Sequence, residues 1–243
     1  SDVNPLHTDN FEEVSFGPIL YGAKKLGMHI HTRYEVSNNA GQDICDIVNN
    51  EGFDFLLVGS GISMSDSPDD IAATRYRTSF YNRYFKRFKA PESWFYPGAL
   101  LKDKTKMFIA RSNCDVGVFI NRNFVKATNT LVVISSEEDL FLLDYTRTLL
   151  KATHGSVGIV AKMSTTTPGH DQILKELWDF VSSTPQTQLL PDKDLTPGLF
   201  NSYNFMLIGY NTWNNVSEHR KEALQKMPST LILNKNKRSS SDN

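Results

Sequence analysis

The chain lacks most of the features that identify a chemistry directly. Only two cysteines, Cys45 and Cys114, occur in 243 residues, which excludes a disulfide-stapled scaffold and a cysteine-rich metal centre. Cys45 lies among the apolar positions Ile44, Ile47 and Val48, and Cys114 precedes an apolar run. Both read as buried free thiols. Charge of one sign is not in excess either. Lys and Arg number 26 against 27 Asp and Glu, a net charge of −1, so a nucleic-acid partner is not expected. No apolar run is long enough to span a bilayer, and the mostly polar stretch from Ser1 to Asn10 lacks the apolar core of a secretory signal. The chain by itself is expected to be soluble. It has no P-loop, no nucleophile elbow and no paired catalytic carboxylates, so enzymatic activity is not expected and no catalytic residue is assigned.

What the sequence does have is a near-repeat. Phe53-Asp54-Phe55-Leu56-Leu57-Val58-Gly59 reads almost residue for residue as Tyr203-Asn204-Phe205-Met206-Leu207-Ile208-Gly209. A β-type run and a helical stretch precede each copy, at 28–36 and 42–50 and again at 156–162 and 171–182. Downstream, the run 115–122 answers 229–235. Two copies of a strand–helix–strand–helix–strand unit predict an α/β protein with a duplicated parallel sheet.

The remaining punctuation fits that plan. A helix over 11–27 closes on Gly27, and Gly52 ends the helix 42–50. An insertion over 62–103 carries a helix start at Ser67-Pro68-Asp69-Asp70 and leads into a helix at 104–111. The second unit reads as strand 130–134, helix 137–152, strand 156–162, helix 171–182 and a loop with Pro185, Pro191 and Pro197. Strand 203–209, helix 216–227 and strand 229–234 complete it. The predicted units are 1–126, with its opening strand missing, and 127–243, with a disordered tail at 235–243. Runs 53–58, 116–120, 131–134, 205–208 and 230–233 are expected as central strands. Packing of the units about a pseudo-twofold would leave few free edges, and a homodimer is a further candidate assembly.

A glycine straight after a buried strand, as in Leu56-Leu57-Val58-Gly59, resembles the universal stress proteins. More specifically, the order of segments resembles the cytosolic C-terminal region of monovalent cation/proton antiporters, the plant and fungal cation/H+ exchanger group. Four stretches carry the likeness: Asp43-Ile44-Cys45-Asp46-Ile47; the run from Asn113 to Arg122; Val132-Val133-Ile134 followed by Glu137-Glu138-Asp139; and Phe205-Met206-Leu207-Ile208-Gly209. The lysine- and serine-rich tail and the aromatic insertion look like a fungal potassium/proton antiporter. The resemblance implies two tandem universal-stress-protein-like units, each a parallel sheet flanked by helices. It also implies a regulatory domain for potassium (or sodium)/proton antiport in cation and pH homeostasis. Its partner would be the membrane domain of the same antiporter, at the cytosolic face of a Golgi or endosomal membrane. The alternative is a free-standing nucleotide-binding universal stress protein.

Three sets of residues are candidates for chemistry. ATP-binding members of the family carry G-x2-G-x9-G followed by serine or threonine. Here Gly59 fits the first position and Gly61 comes one place early, with Ile62 where the second glycine belongs and Lys102-Asp103 in place of the last pair. Gly209 is followed by Tyr210-Asn211-Thr212, and the family's acidic residue has no match after Ile134, where Ser135 stands. Gly59, Ser60 and Gly61 are therefore the better nucleotide candidates. No cofactor is expected beyond weak nucleotide binding there, because side chains block close approach of phosphates to backbone N–H groups.

In the insertion, Tyr76, Phe80, Tyr84 and Phe88 recur at helical spacing with Tyr81 and Phe85 beside them. Arg75, Arg83, Lys86, Arg87 and Lys89 lie mostly on the other side. The cations would face an anionic lipid surface or a partner. The competing and favoured reading packs the aromatics on protein and leaves the cations in water. His29 and His31 share one strand face, but no further ligand at compatible spacing makes them a metal site.

Overall fold

The structure, a computed structural model, describes residues 8–33, 39–59, 106–163, 168–191, 195–219 and 226–236. The chain divides into two compact units, Ser1–Asp43 and Ile44–Asn243. In the first, helix α1 (Thr8–Lys25) ends as the sequence predicts. Gly27 takes a left-handed φ of 66°, and the N–H groups of Gly27 and Met28 close on the carbonyls of Lys24 and Ala23. That is a Schellman cap, which needs a residue free of Cβ strain at this position. The strand expected at 28–36 does not form over its described part. Residues 28–33 are irregular, and only Thr32 is half-buried. With neither face of the segment buried, alternation of side chains has nothing to pack against.

Helix α2 (Ala40–Glu51) runs across the boundary of the units and ends in the same way, with Gly52 at φ 70° and the Phe53 N–H on the Val48 carbonyl. Its stripe buries Cys45 and Val48.

The second unit is built on one sheet of seven strands: β1 (Phe55–Gly59), β2 (Asp115–Ile120), β3 (Asn129–Ile134), β4 (Ser156–Ala161), β5 (Thr187–Pro191), β6 (Phe205–Gly209) and β7 (Ser229–Asn234). Their order is β1-β2-β7-β6-β3-β4-β5. Every neighbouring pair is parallel except β2 with β7.

The pairing around that antiparallel seam is self-equivalent. Phe55 faces Asp115 and Val58 faces Val118; Phe205 faces Ser229 and Ile208 faces Ile232. Across the seam Val118 faces Ile232, with Gly117 on Leu233 and Phe119 on Leu231. The pair β1-β2 thus stands to the seam as β6-β7 does.

Side chains alternate between two cores. One face sends Leu131, Val133, Met206, Ile208, Val116, Val118 and Ile232 against α2, a helix at 106–111 (α3), α6 (Pro197–Phe200) and α7 (Tyr210–His219). The other sends Val132, Ile134, Val157, Ile159, Phe205 and Leu207 against α4 (Leu142–Thr153) and α5 (His170–Ser183). Both cysteines are free and lie in the first of these cores. Burial, followed by the nearby charge of Asp115, raises the Cys114 thiol above its ordinary value, as expected of an inert structural cysteine.

Three further expectations change. Run 53–58 is not central: β1 is the edge of the sheet, with Leu57 58% exposed and Phe53 49% exposed. Among the described residues the first repeat supplies no strand outside it, so an apolar run suited to two-sided burial is left half covered. Among the described residues the sheet therefore keeps two edges, β1 and β5. The loop around Pro185, Pro191 and Pro197 contains β5, which Pro191 closes at the sheet margin, where a missing N–H is tolerated. The single helix over 137–152 is broken into a 3-10 turn at Glu137–Asp139 and α4. The insertion 62–103, with its aromatic and cationic residues, lies outside the described residues; so do the tail beyond 236 and residues 220–225 of the expected helix 216–227.

Candidate functional site

From β3 the sheet grows one way through β4 and β5. The chain then returns to lay β6 and β7 on the other side of β3. Such a reversal opens a crevice beyond the carboxyl ends of β3 and β6, the usual ligand position in an open α/β sheet. Here α7 begins directly after Gly209, so its first N–H groups lie at that crevice.

An internal anion fills the place. The 3-10 turn after β3 brings Asp139 back over the strand ends, where it is 2% exposed. Its Oδ2 accepts from the Ser135 N–H at 2.8 Å, the Ser135 hydroxyl at 3.1 Å, the Ser136 N–H at 3.2 Å and the Thr212 hydroxyl at 2.6 Å. The Ser135 and Thr212 hydroxyls also touch each other, so their two protons are shared among three oxygen contacts. A Cβ on Gly209 would overlap Asp139 Oδ1. Glycine is therefore required at 209 by the chain's own carboxylate.

Beside this plug lies a cleft of about 280 Å3. Glu137, Glu138, Phe141, Tyr210, Asn211, the end of β7 and the following Lys235 and Asn236 form its walls. Asn211 donates its amide to Glu138 Oε2 at 2.7 Å, which ties the acidic turn to α7.

No family model matches the sequence, and no curated protein matches it. Solved structures do. A universal stress protein from Archaeoglobus fulgidus aligns with a TM-score of 0.52 at 11% identity, over 98% of this chain and 81% of that chain. A functionally unknown protein from Pseudomonas aeruginosa aligns with a TM-score of 0.49 at 11% identity, over 93% of this chain and 78% of that chain. The fold is universal stress protein-like.

Within that universal stress protein-like fold the sequence candidates fall in different places. Gly59 ends the edge strand β1, exposed, with open space where a Cβ would stand. Ser60 and Gly61 lie outside the described residues, as do Arg75, Arg83, Lys86, Arg87 and Lys89. His29 and His31 are exposed in the irregular segment after α1, and no metal-ligand cluster occurs among the described residues. No helix among them is long and apolar enough to cross a membrane. The residue that inspection of the sequence missed is Asp139. An acidic residue was sought immediately after Ile134, whereas it arrives through a turn. The available signal was Ser136-Glu137-Glu138-Asp139, a serine followed at the third place by an acid, the spacing of a helix-start box.

At the far wall of the cleft a second carboxylate joins three elements. Asp115, at the start of β2, accepts the Asn236 N–H at 2.7 Å on Oδ1 and the Tyr145 hydroxyl of α4 at 2.9 Å on Oδ2. The Asn236 amide donates to the Ser112 carbonyl at 3.0 Å. Burial, then the hydrogen bond to Asp115 and its charge, hold the Tyr145 phenol well above its ordinary value. The sign follows from linkage. A raised folded-state value gives stability that is complete below about pH 10, where the unfolded phenol titrates, and is lost as pH rises through the folded value. Urea midpoints from pH 8 to 11 are expected to fall more steeply for the natural protein than for Tyr145→Phe. At pH 7 that variant should lose about 1 kcal/mol, the worth of one hydrogen bond. Parallel curves would mean that Tyr145 is not bonded to Asp115 in solution.

Proposed function

We propose that this chain is the cytosolic regulatory domain of a membrane potassium (or sodium)/proton antiporter, with the membrane domain of the same protein as its partner. The observation that carries the reading is the filled crevice. At the strand ends beside the start of α7, where a nucleotide phosphate would sit in a sheet of this type, Asp139 accepts the Ser135 and Ser136 N–H groups and the Thr212 hydroxyl, and Glu137 and Glu138 edge the opening. A polyphosphate would meet the three carboxylates of Glu137, Glu138 and Asp139 there against the single ammonium of Lys235. A fold that has exchanged its ligand for an internal carboxylate is suited to transmit contact and position.

In this reading residues 127–243 form a complete universal stress protein-like unit, β5-β4-β3-β6-β7. Residues 1–126 form a partial unit represented in the sheet by β1 and β2. The two meet at the β2–β7 seam as two subunits would meet across a twofold. The transporter assignment rests on the four sequence stretches that resemble the exchanger group, and it places the domain at the cytosolic face of a Golgi or endosomal membrane. It carries no catalysis.

Two experiments test the two halves of the reading. Calorimetry with ATP, ADP, AMP and NADH is expected to show no saturable binding up to about 1 mM, the affinity range of a few kcal/mol. Micromolar binding that Asn211→Ala abolishes would instead make the protein a free-standing nucleotide-binding universal stress protein. Proteoliposomes holding the full-length protein are expected to exchange potassium or sodium for protons, and removal of residues 1–243 should alter the rate or its pH response. A full-length reading frame without hydrophobic spans, or one that exchanges no cation, would end the antiporter assignment.

A further inference from the structure

The two ends of the sheet differ in charge. Strands β3 to β7 all start at one pole, and β2, antiparallel to β7, ends there. Lys126 lies in the β2–β3 connection, Lys151 in the last turn of α4 ahead of β4, and Lys226 shortly before β7; all three are exposed at this pole. Arg122, half-buried, belongs to the same connection as Lys126. Among the described residues no Asp or Glu occurs in the segments that form the pole, 120–129, 151–156, 184–187, 201–204 and 226–229. The carboxylates of Asp115 and of the acidic turn 137–139 stand at the opposite pole.

The β2–β3 connection also puts apolar surface into water at this pole: Val125 is 93% exposed and Phe124 39%. Its backbone is held in place. Asn123 takes a left-handed φ of 55°. The Phe124 N–H donates to Asn121 Oδ1 at 2.9 Å, and the Arg122 N–H to the Ser229 hydroxyl oxygen at 2.8 Å. The Phe124 ring packs on Phe119 and Phe205, with centroids 5.5 and 5.2 Å apart. A single exposed valine means little by itself. This one, with the open side of Phe124, is fixed between cations at a pole whose described segments hold no carboxylate.

We infer that this pole is a docking surface for an anionic membrane, with the loop from Arg122 to Lys126 at the contact. The cations are drawn to the negative leaflet within about a Debye length. Phe124 and Val125 then enter the boundary between headgroups and acyl chains, while the heads of Arg122 and Lys126 stay with the phosphates. The cations are spread over three separate connections, a pattern that suits an extended surface of uniform negative charge better than a single acidic peptide. The inference concerns the chain by itself and does not depend on what the whole protein transports.

The test is co-sedimentation of the full chain with phosphatidylcholine vesicles, with and without phosphatidylserine, at low and high salt. Binding is expected only with phosphatidylserine, and it should fall as salt rises. Lys126→Glu and Lys151→Glu, both at exposed positions, should each weaken it at least about fivefold, the effect of one cation near the leaflet. Lys175→Glu, in the middle of α5, makes the same change in net charge and should leave binding nearly unchanged. Both native cysteines are buried, so a polarity-sensitive dye on Val125→Cys reports that position alone, and its emission should shift to the blue on anionic vesicles. Circular dichroism should be the same for every variant. No sedimentation with anionic vesicles, equal binding to neutral ones, or an equal loss from Lys175→Glu would overturn the proposal. So would an unchanged dye on a chain that sediments, which would place lipid contact elsewhere in the chain. A full-length protein that exchanges no cation leaves these outcomes untouched, and their failure leaves the transport assay untouched.

Discussion

Gly209→Ala is expected to destabilise the protein by about 3 kcal/mol, although it adds a single methyl group to a buried strand residue. The added Cβ meets Asp139 Oδ1, and the carboxylate cannot move without releasing the two N–H and two hydroxyl groups that it accepts. Hydrogen bonds to a charged acceptor are worth about 1.5–3 kcal/mol each, and stranded buried donors add their own desolvation. They act as one network, so a simple sum overstates the loss. Asp139→Ala should cost a similar amount, because it strands the same donors and removes the anion from the start of α7.

The informative measurement is the double variant. With the carboxylate gone, the alanine at 209 has room, so Gly209→Ala/Asp139→Ala should cost little more than Asp139→Ala alone. The implied coupling is about 2 kcal/mol or more. Each single variant should lower Tm by roughly 6–12 °C for a domain of this size. Asp139→Asn separates shape from charge: its amide oxygen can take the place of Oδ2 and keep the same donors, with the NH2 group toward Gly209, so it should cost clearly less than alanine. Additive single effects would show that Gly209 and Asp139 do not touch in solution.

That pair also marks the limit of what was legible in the sequence. Continuous apolar runs marked β2, β3, β4, β6 and β7 nearly to the residue, because each is buried on both faces. Helix ends at Gly27 and Gly52 were legible because a left-handed cap needs glycine.

What failed was context. The run 53–58 has the composition of a central strand, and composition does not say whether a neighbour is present. β5 hides behind Pro191 and polar Thr187 and Gln188, a pattern that only an edge accepts. At the site, glycine spacing favoured Gly59 over Gly209, whereas the close approach is at Gly209 and open space lies beside Gly59. That depended on a turn of three residues that brings Asp139 back over the strand from which it had just departed. Local spacing in one loop cannot reveal a partner supplied by another.

The asymmetry between the repeats gives the second large effect. Leu207→Ala is expected to cost about 2–5 kcal/mol, the range for truncating a fully buried leucine, where lost transfer energy and an uncollapsed cavity add. Leu207 is 2% exposed, within the core that α4 and α5 cover. Leu57→Ala, the same substitution at the equivalent position of the near-repeat, should cost under about 1 kcal/mol, because its side chain is already 58% exposed and leaves no cavity. Urea denaturation of both variants under one set of conditions checks the pair, with m-values confirming that the unfolded reference has not changed. Equal costs would mean that the face of β1 is covered in the free protein.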